Sequence, residues 1–187
     1  MDDDDIAQLS SLAKLQVIDL SFTDVTGEGI AHLTKIPSLL SVRLDGCNIG
    51  DSDLKPLANM PEIAMLYLAR TNVTDKGLKH VRGLNLVLLD LQSCDISDEG
   101  LRSLGAFPRL QHLWLSKTNR HGEADRSRLS DDCVDYLLSL DTLLDLQIAD
   151  SRLTAAGIER LRDGLPKAKV DVTSRGITYL SSKKTEP

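Results

Sequence analysis

The chain has 187 residues, 41% of them hydrophobic and 3% aromatic, and a formal net charge of -6. That is enough apolar material for one continuous core, and the acidic balance disfavours a nucleic-acid partner, because phosphate binders carry a basic stripe. No apolar run approaches the roughly 18–20 residues that span a bilayer, and MDDDDIAQLSSL lacks the basic start and apolar centre of a signal peptide, so no membrane contact and a cytoplasmic location are expected.

From the N-terminus, Asp3 to Leu12 aligns with the helical half of a repeating unit, because Ile6 falls 24 residues before Ile30. The acidic run suits the start of a helix, whose positive dipole end favours carboxylates, and it lacks the spaced ligands of a calcium loop. From a start in the middle of a repeat, either a trimmed chain or a larger parent protein is expected.

A strand, a turn and a short helix then recur. Thr23, Cys47, Thr71, Cys94, Thr118 and Ser151 mark the small residue after each strand, at intervals of 24, 24, 23, 24 and 33. Three positions earlier stand Leu20, Leu44, Leu68, Leu91, Leu115 and Ile148, and five earlier Ile18, Val42, Leu66, Leu89, Leu113 and Leu146. Apolar residues two apart share one face of a strand, so these pairs are predicted to point inward. After each anchor come an apolar residue (Val25, Ile49, Val73, Ile96, Leu129, Leu153) and then Thr26, Gly50, Thr74, Ser97, Ser130 or Thr154, often followed by an acid. A hydroxyl there caps a helix start. Helical spacing follows in Ile30/Leu33, Leu54/Leu57, Leu78/Val81, Leu101/Leu104, Val134/Leu137 and Ile158/Leu161, with Gly29, Gly77, Gly100 and Gly157 expected to let neighbouring helices approach. No such unit buries its apolar face alone, so the repetition predicts a solenoid.

Cys47 and Cys94 sit two units apart, about 10 Å at the spacing of stacked strands, which is beyond disulfide reach. Both read as small buried residues, and the pattern suits a reducing compartment.

The series resembles the leucine-rich repeat family, whose strand consensus is L-x-x-L-x-L-x-x-N/C-x-L. Val73-Thr74-Asp75-Lys76-Gly77-Leu78 and Ile96-Ser97-Asp98-Glu99-Gly100-Leu101 are similar to the 24-residue TDxGL repeats of planctomycete-like bacteria. They are also similar to the cysteine-containing repeats of F-box-type substrate receptors, which usually run 26 residues. The resemblance implies an α/β leucine-rich repeat horseshoe, with a parallel β-sheet on the concave face and short helices on the convex face. It covers residues 1–172: a partial N-terminal repeat, six anchored repeats and a shortened terminal strand within Leu165–Val172. Residues 173–187 form a polar tail. Thr, Cys and Ser replace the usual anchor asparagine, so hydroxyls must supply the bonds between turns or those bonds are partly lost.

Two irregularities carry the functional reading. Nine residues, Arg120 to Arg128, are inserted before Leu129, and Arg120, His121, Arg126 and Arg128 make that loop locally basic. Insertions in solenoids map to loops, often at the binding face. The residues wedged between the inward ones read Asp19, Arg43, Tyr67, Asp90, Trp114, Gln147 and Asp171 across the sheet. Two positions earlier the row is Val17, Ser41, Met65, Leu88, His112, Asp145 and Lys169. Met65, Tyr67, Leu88, His112 and Trp114 are therefore expected to form one exposed patch bordered by Arg43 and Asp90. Aromatic and methionine clusters beside an arginine have the composition of interface cores.

His32 and His80 occupy equivalent outer positions in separate units, which is not a metal cluster. His112, Asp90 and Ser116 invite a hydrolytic triad, but no nucleophile elbow or oxyanion hole accompanies them. No phosphate loop, dinucleotide glycine motif or zinc spacing appears. The expectation is a non-enzymatic module, with no cofactor or metal, that binds a protein or peptide on its concave face. The alternative is the substrate-recognition or regulatory piece of a larger protein such as a ubiquitin-ligase receptor or kinase.

Overall fold

The computed structural model describes residues 1–9, 11–116 and 127–173. Seven three-residue strands, β1 (Val17–Asp19), β2 (Ser41–Arg43), β3 (Met65–Tyr67), β4 (Leu88–Asp90), β5 (His112–Trp114), β6 (Asp145–Gln147) and β7 (Lys169–Asp171), form one parallel sheet in sequence order. Each pairs with the next at the same repeat position, so Val42 stands opposite Leu66, Leu89 opposite Leu113, and Leu146 opposite Val170. Ile18 through Leu146 along this row, and Leu20 through Ile148 along the row two residues on, are buried. The predicted register therefore holds; a slip of one residue would have turned both rows to solvent.

Helices α1 (Asp3–Leu9), α2 (Gly27–Leu33), α3 (Asp75–Val81), α4 (Asp98–Leu101), α5 (Val134–Leu138) and α6 (Ala155–Gly164) back the sheet. In the second unit Asp51–Asn59 is a 3-10 helix carrying Pro56, which has no N–H to continue an α-helical ladder. The predicted helical core residues are buried with one exception. Ile158 is half-exposed, because no described helix follows α6 to cover it.

Just before each described anchor the backbone turns left-handed. Phe22, Gly46, Arg70, Ser93 and Asp150 have φ of 59° to 70°, a region that only glycine enters freely. At four of them the turn aims the N–H at the next unit: Phe22 donates to the Asp45 carbonyl at 2.7 Å, Gly46 to Ala69 at 2.8 Å, Arg70 to Gln92 at 2.7 Å and Ser93 to Ser116 at 3.1 Å. One good hydrogen bond per unit offsets the local strain. Gly46 alone signals this position in the sequence.

The anchors form bonds between turns without asparagine. Cys47 donates its thiol hydrogen to the Leu20 carbonyl of the preceding unit at 3.0 Å, and Cys94 does the same to Leu68 at 3.1 Å. Thr23 and Thr71 donate to those same carbonyls from within their own units, at 2.7 Å each. One hydroxyl and one thiol thus converge on a buried carbonyl that also takes the anchor threonine's own N–H at 3.3 Å. Cys47, Cys94 and Cys133 are free and buried. Burial pushes the Cys94 thiol up to about 11, and burial reinforced by Asp98 pushes Cys133 up to about 12. A thiolate reagent at neutral pH is expected to label none of the three cysteines in the folded protein and all three after unfolding without reductant. Labelling of the native state, or fewer than three on unfolding, contradicts this arrangement.

A second ladder runs along the helix starts. The carboxylate of Asp51 accepts the Thr74 N–H at 2.7 Å and the Thr74 hydroxyl at 2.8 Å. Asp75 does the same for Ser97, Asp98 for Ser130, Asp131 for Thr154 and Asp3 for Thr26. The acid after each cap is thus a clamp onto the next repeat as well as a partner for its own helix dipole. A β-carbon on Gly29, Gly77, Gly100 or Gly157 would overlap the carboxylate of Asp3, Asp51, Asp75 or Asp131. These glycines make room for a carboxylate, a more specific reason than close helix approach. The one missing rung confirms the logic: Gly27 stands where the acid would be, and Gly50 where the hydroxyl would be. There Asp53 folds back over Gly27 and accepts the Gly50 N–H at 2.8 Å.

Candidate functional site

The inner face of the sheet is built by residues whose neighbours on either side are buried, so their direction is dictated by strand alternation. Arg43, Met65, Tyr67, His112 and Trp114 lie on this face, each half-buried. Leu88 and Asp90 do not match the expected exposed patch: they are 8% and 6% exposed, and all of β4 is buried. The cause is their position between larger side chains. Tyr67 and Trp114 flank Asp90 in register, and Met65 and His112 flank Leu88. Strands two apart are separated by about 10 Å, yet the Tyr67 and Trp114 ring centroids are 6.1 Å apart and tilted at 59°. The two rings lean together across β4 and roof Asp90.

Both ends of this aromatic pair are held. The Arg43 guanidinium carbon lies 4.0 Å from the centroid of the Tyr67 ring, a cation–π contact. Arg43 also approaches the Asp19 and Asp45 carboxylates at 3.9 Å and 3.8 Å. Trp114 donates its indole N–H to Asp145 Oδ2 at 2.8 Å, and Gln147 steadies the same oxygen at 3.3 Å. Asp145 was legible in the inner row but not as the partner that orients the indole. Its position diagonal to Trp114 on the adjacent strand was the available signal.

The basic loop is only partly in view. Arg120, His121 and Arg126 lie outside the described residues. Arg128 forms an isolated bridge with Ser97 on the turn side of the sheet and pairs with Asp95 at 3.2 Å, so it sits beside the aromatic patch's unit but on the rim.

The carboxylates divide into two classes. Burial pushes Asp90 up to about 7, with Asp45 reinforcing the rise, while the Gln92 N–H at 2.9 Å and the charges of Arg43 and Arg70 pull it down. Burial likewise raises Asp45 against the Ala69 N–H that it accepts. On the rim, the Thr154 hydroxyl and N–H hold Asp131 below the usual carboxylate range. The signs are opposite. Asp131 favours folding above the ordinary carboxylate pKa and loses that contribution in acid, whereas Asp90 favours folding below its unfolded value of 3.8 and loses that contribution as pH rises through about 7. Asp90→Asn is therefore expected to gain stability relative to the parent between pH 4 and pH 8, by up to about 4 kcal/mol. Melting curves at both pH values check this; a constant difference would contradict the burial of an ionising carboxyl.

A nucleophilic triad is not assembled. Ser116 is buried and its hydroxyl accepts the Ala149 N–H at 3.0 Å, while among the described residues His112 bonds neither Ser116 nor Asp90. Nor do any three His, Cys, Asp or Glu side chains among the described residues converge as metal ligands would. No described helix is long and apolar enough to cross a membrane.

A family profile described as Leucine Rich repeat matches residues 11–33, 35–58 and 84–105. Among solved structures, an internalin (inlF) from Listeria monocytogenes shares the fold with a TM-score of 0.63 and 17% sequence identity, over 90% of this chain and 50% of that one. The chain thus spans about half the length of the internalin that it matches. No curated protein matches it.

Proposed function

Because the chain is a leucine-rich repeat protein, we propose that it is a non-enzymatic binding module that holds a protein or peptide against its inner sheet face. Folds of this class are generally protein-interaction modules. The observation that carries the reading is the Tyr67–Trp114 pair, which is half-exposed and clamped by Arg43 on one side and Asp145 on the other. Hot spots are rich in Trp, Tyr and Arg, and a pair already fixed in place loses little side-chain entropy on binding. Tyr67 and Trp114 are the anchors in this reading. Arg43 and His112 set polarity and Met65 adds apolar contact, while Leu88 and Asp90 act from beneath the surface. Arg120, His121, Arg126 and Arg128 extend reach from the inserted loop.

The test is affinity capture with the wild type and with the Tyr67→Ala/Trp114→Ala double variant, both shown folded by circular dichroism. The reading expects specific partners of the wild type to be lost from the double variant; retention of every partner would remove the inner face from the proposal.

A further inference from the structure

We propose that the inner face is built to receive a basic side chain, arginine or lysine, from an extended peptide segment, with its cationic head placed over Asp90 between Tyr67 and Trp114. This rests on the inner-face binding reading above and names the chemistry of its guest.

Four observations converge on this guest. First, Asp90 is 6% exposed, and only one of its carboxylate oxygens is engaged, by the Gln92 N–H. No donor among the described residues bonds the other, and every fully buried side-chain nitrogen or oxygen has a partner, so this free oxygen is one that solvent still touches. Second, among the described residues no cation comes within ion-pair distance of Asp90: Arg43 is turned to Asp19 and Asp45. Third, the aromatic walls suit a cation, since Arg43 already lies over the Tyr67 ring and Trp114 is the strongest cation–π partner among side chains. Fourth, the inner face is acidic, with Asp19, Asp90, Asp145 and Asp171 in its two rows against Arg43 and Lys169.

An anionic guest would meet these carboxylates beside the rings, where Arg43 is already shared between Asp19 and Asp45. A neutral apolar guest would leave the Asp90 oxygen dry and unpaired, which is costly for a buried polar atom. An arginine head satisfies the oxygen with a charge-assisted bond and lays its planar face against the rings. The tilted contact between the rings is weaker than such a bond, and Trp114 is tethered to Asp145, so the Tyr67 side is the one that yields.

Proton linkage makes the idea testable. The groups facing Asp90 are Arg43 and Asp45 from the β2 unit, Tyr67 and Arg70 from the β3 unit, Cys94 beneath its own turn, His112 on β5 and Asp145 on β6. Because the free carboxyl titrates at about 7, it is ionised in about one molecule in eleven at pH 6 and in about ten in eleven at pH 8. A cation that needs the ionised form binds about tenfold more tightly at pH 8, and at pH 6 its binding releases one proton.

Trp114 is the only tryptophan in the chain, so its indole N–H resonance and its fluorescence report on this site alone. The probes are blocked pentapeptides Ala-Ala-Xaa-Ala-Ala, with Xaa arginine, norleucine or glutamate, titrated at pH 6 and pH 8. The arginine peptide is expected to shift the indole resonance, with a Kd about tenfold lower at pH 8, and the other two to bind at least tenfold more weakly. Asp90→Asn should abolish the pH dependence and His112→Gln should keep it. The proposal is overturned if the glutamate or norleucine peptide binds as well as the arginine one, if affinity is level or falls with pH, or if the dependence disappears with His112 instead. The wild-type comparison of peptides stands even if Asp90→Asn folds poorly. Partner capture that still depends on Tyr67 and Trp114, with no response to the arginine peptide, sinks the basic guest alone. Capture that does not depend on them sinks the inner-face reading as well.

Discussion

Gly100→Ala is expected to lower the free energy of unfolding by about 2–4 kcal/mol, although it replaces a helical glycine with the best helix former. The added β-carbon would overlap the Asp75 carboxylate, which takes the Ser97 N–H at 2.9 Å and its hydroxyl at 2.5 Å. The carboxylate must move, and both inter-repeat bonds weaken together. Gly105→Ala, five residues on in the same unit, has nothing within 4 Å of its β-carbon and should stabilise by about 0.5–1 kcal/mol. A second control isolates the cause: in an Asp75→Ala background the cost of Gly100→Ala should shrink by about 1 kcal/mol or more, because the colliding group is gone. Urea unfolding of the four variants measures this. Equal costs in both backgrounds would mean that Gly100 is conserving something other than space for Asp75.

Trp114→Ala is expected to weaken binding of a captured partner by about 2 kcal/mol or more, a factor of roughly thirty in Kd. The effect on folding should be smaller, since Trp114 is half-buried and the core row beneath it, Leu113 and Leu115, is untouched. Removal of the ring nevertheless uncovers Asp90 and frees Asp145, so the burial that raises the Asp90 pKa should diminish. Trp114→Phe separates these roles: it keeps the roof but cannot donate to Asp145, and should lose less affinity than the alanine variant. Calorimetry on the purified pair, beside melting curves, makes the comparison. A Trp114→Ala variant with unchanged affinity would exclude the aromatic pair as the anchor.

The strands and their facing were legible because parallel pairing at equal repeat positions stacks Ile18, Val42, Leu66, Leu89, Leu113 and Leu146 into one row, and burial of that row leaves a single consistent register. The helix caps at Thr26, Thr74, Ser130 and Thr154 were legible for the same reason, as hydroxyls at a constant offset, whereas Ser97 at that offset makes no side-chain cap bond. The role of the following acid was half-legible. Its position suited the helix dipole, but its bond partner lies one repeat away, at Thr74 for Asp51 and Ser97 for Asp75. Four glycines recurring at the third helical position, Gly29, Gly77, Gly100 and Gly157, were the clue.

By itself the sequence determined a solenoid, its strand register and the set of side chains on the inner face, because each follows from alternation and repeat spacing. The tertiary structure alone decided that Leu88 and Asp90 are covered, that Arg43 stacks on Tyr67, and that Trp114 is tied to Asp145. Those outcomes depend on how far large side chains lean across neighbouring strands. Repeat spacing sets where a side chain begins, whereas packing among its neighbours sets where it ends, and Asp90 becomes a buried carboxyl only because two rings from flanking strands meet above it.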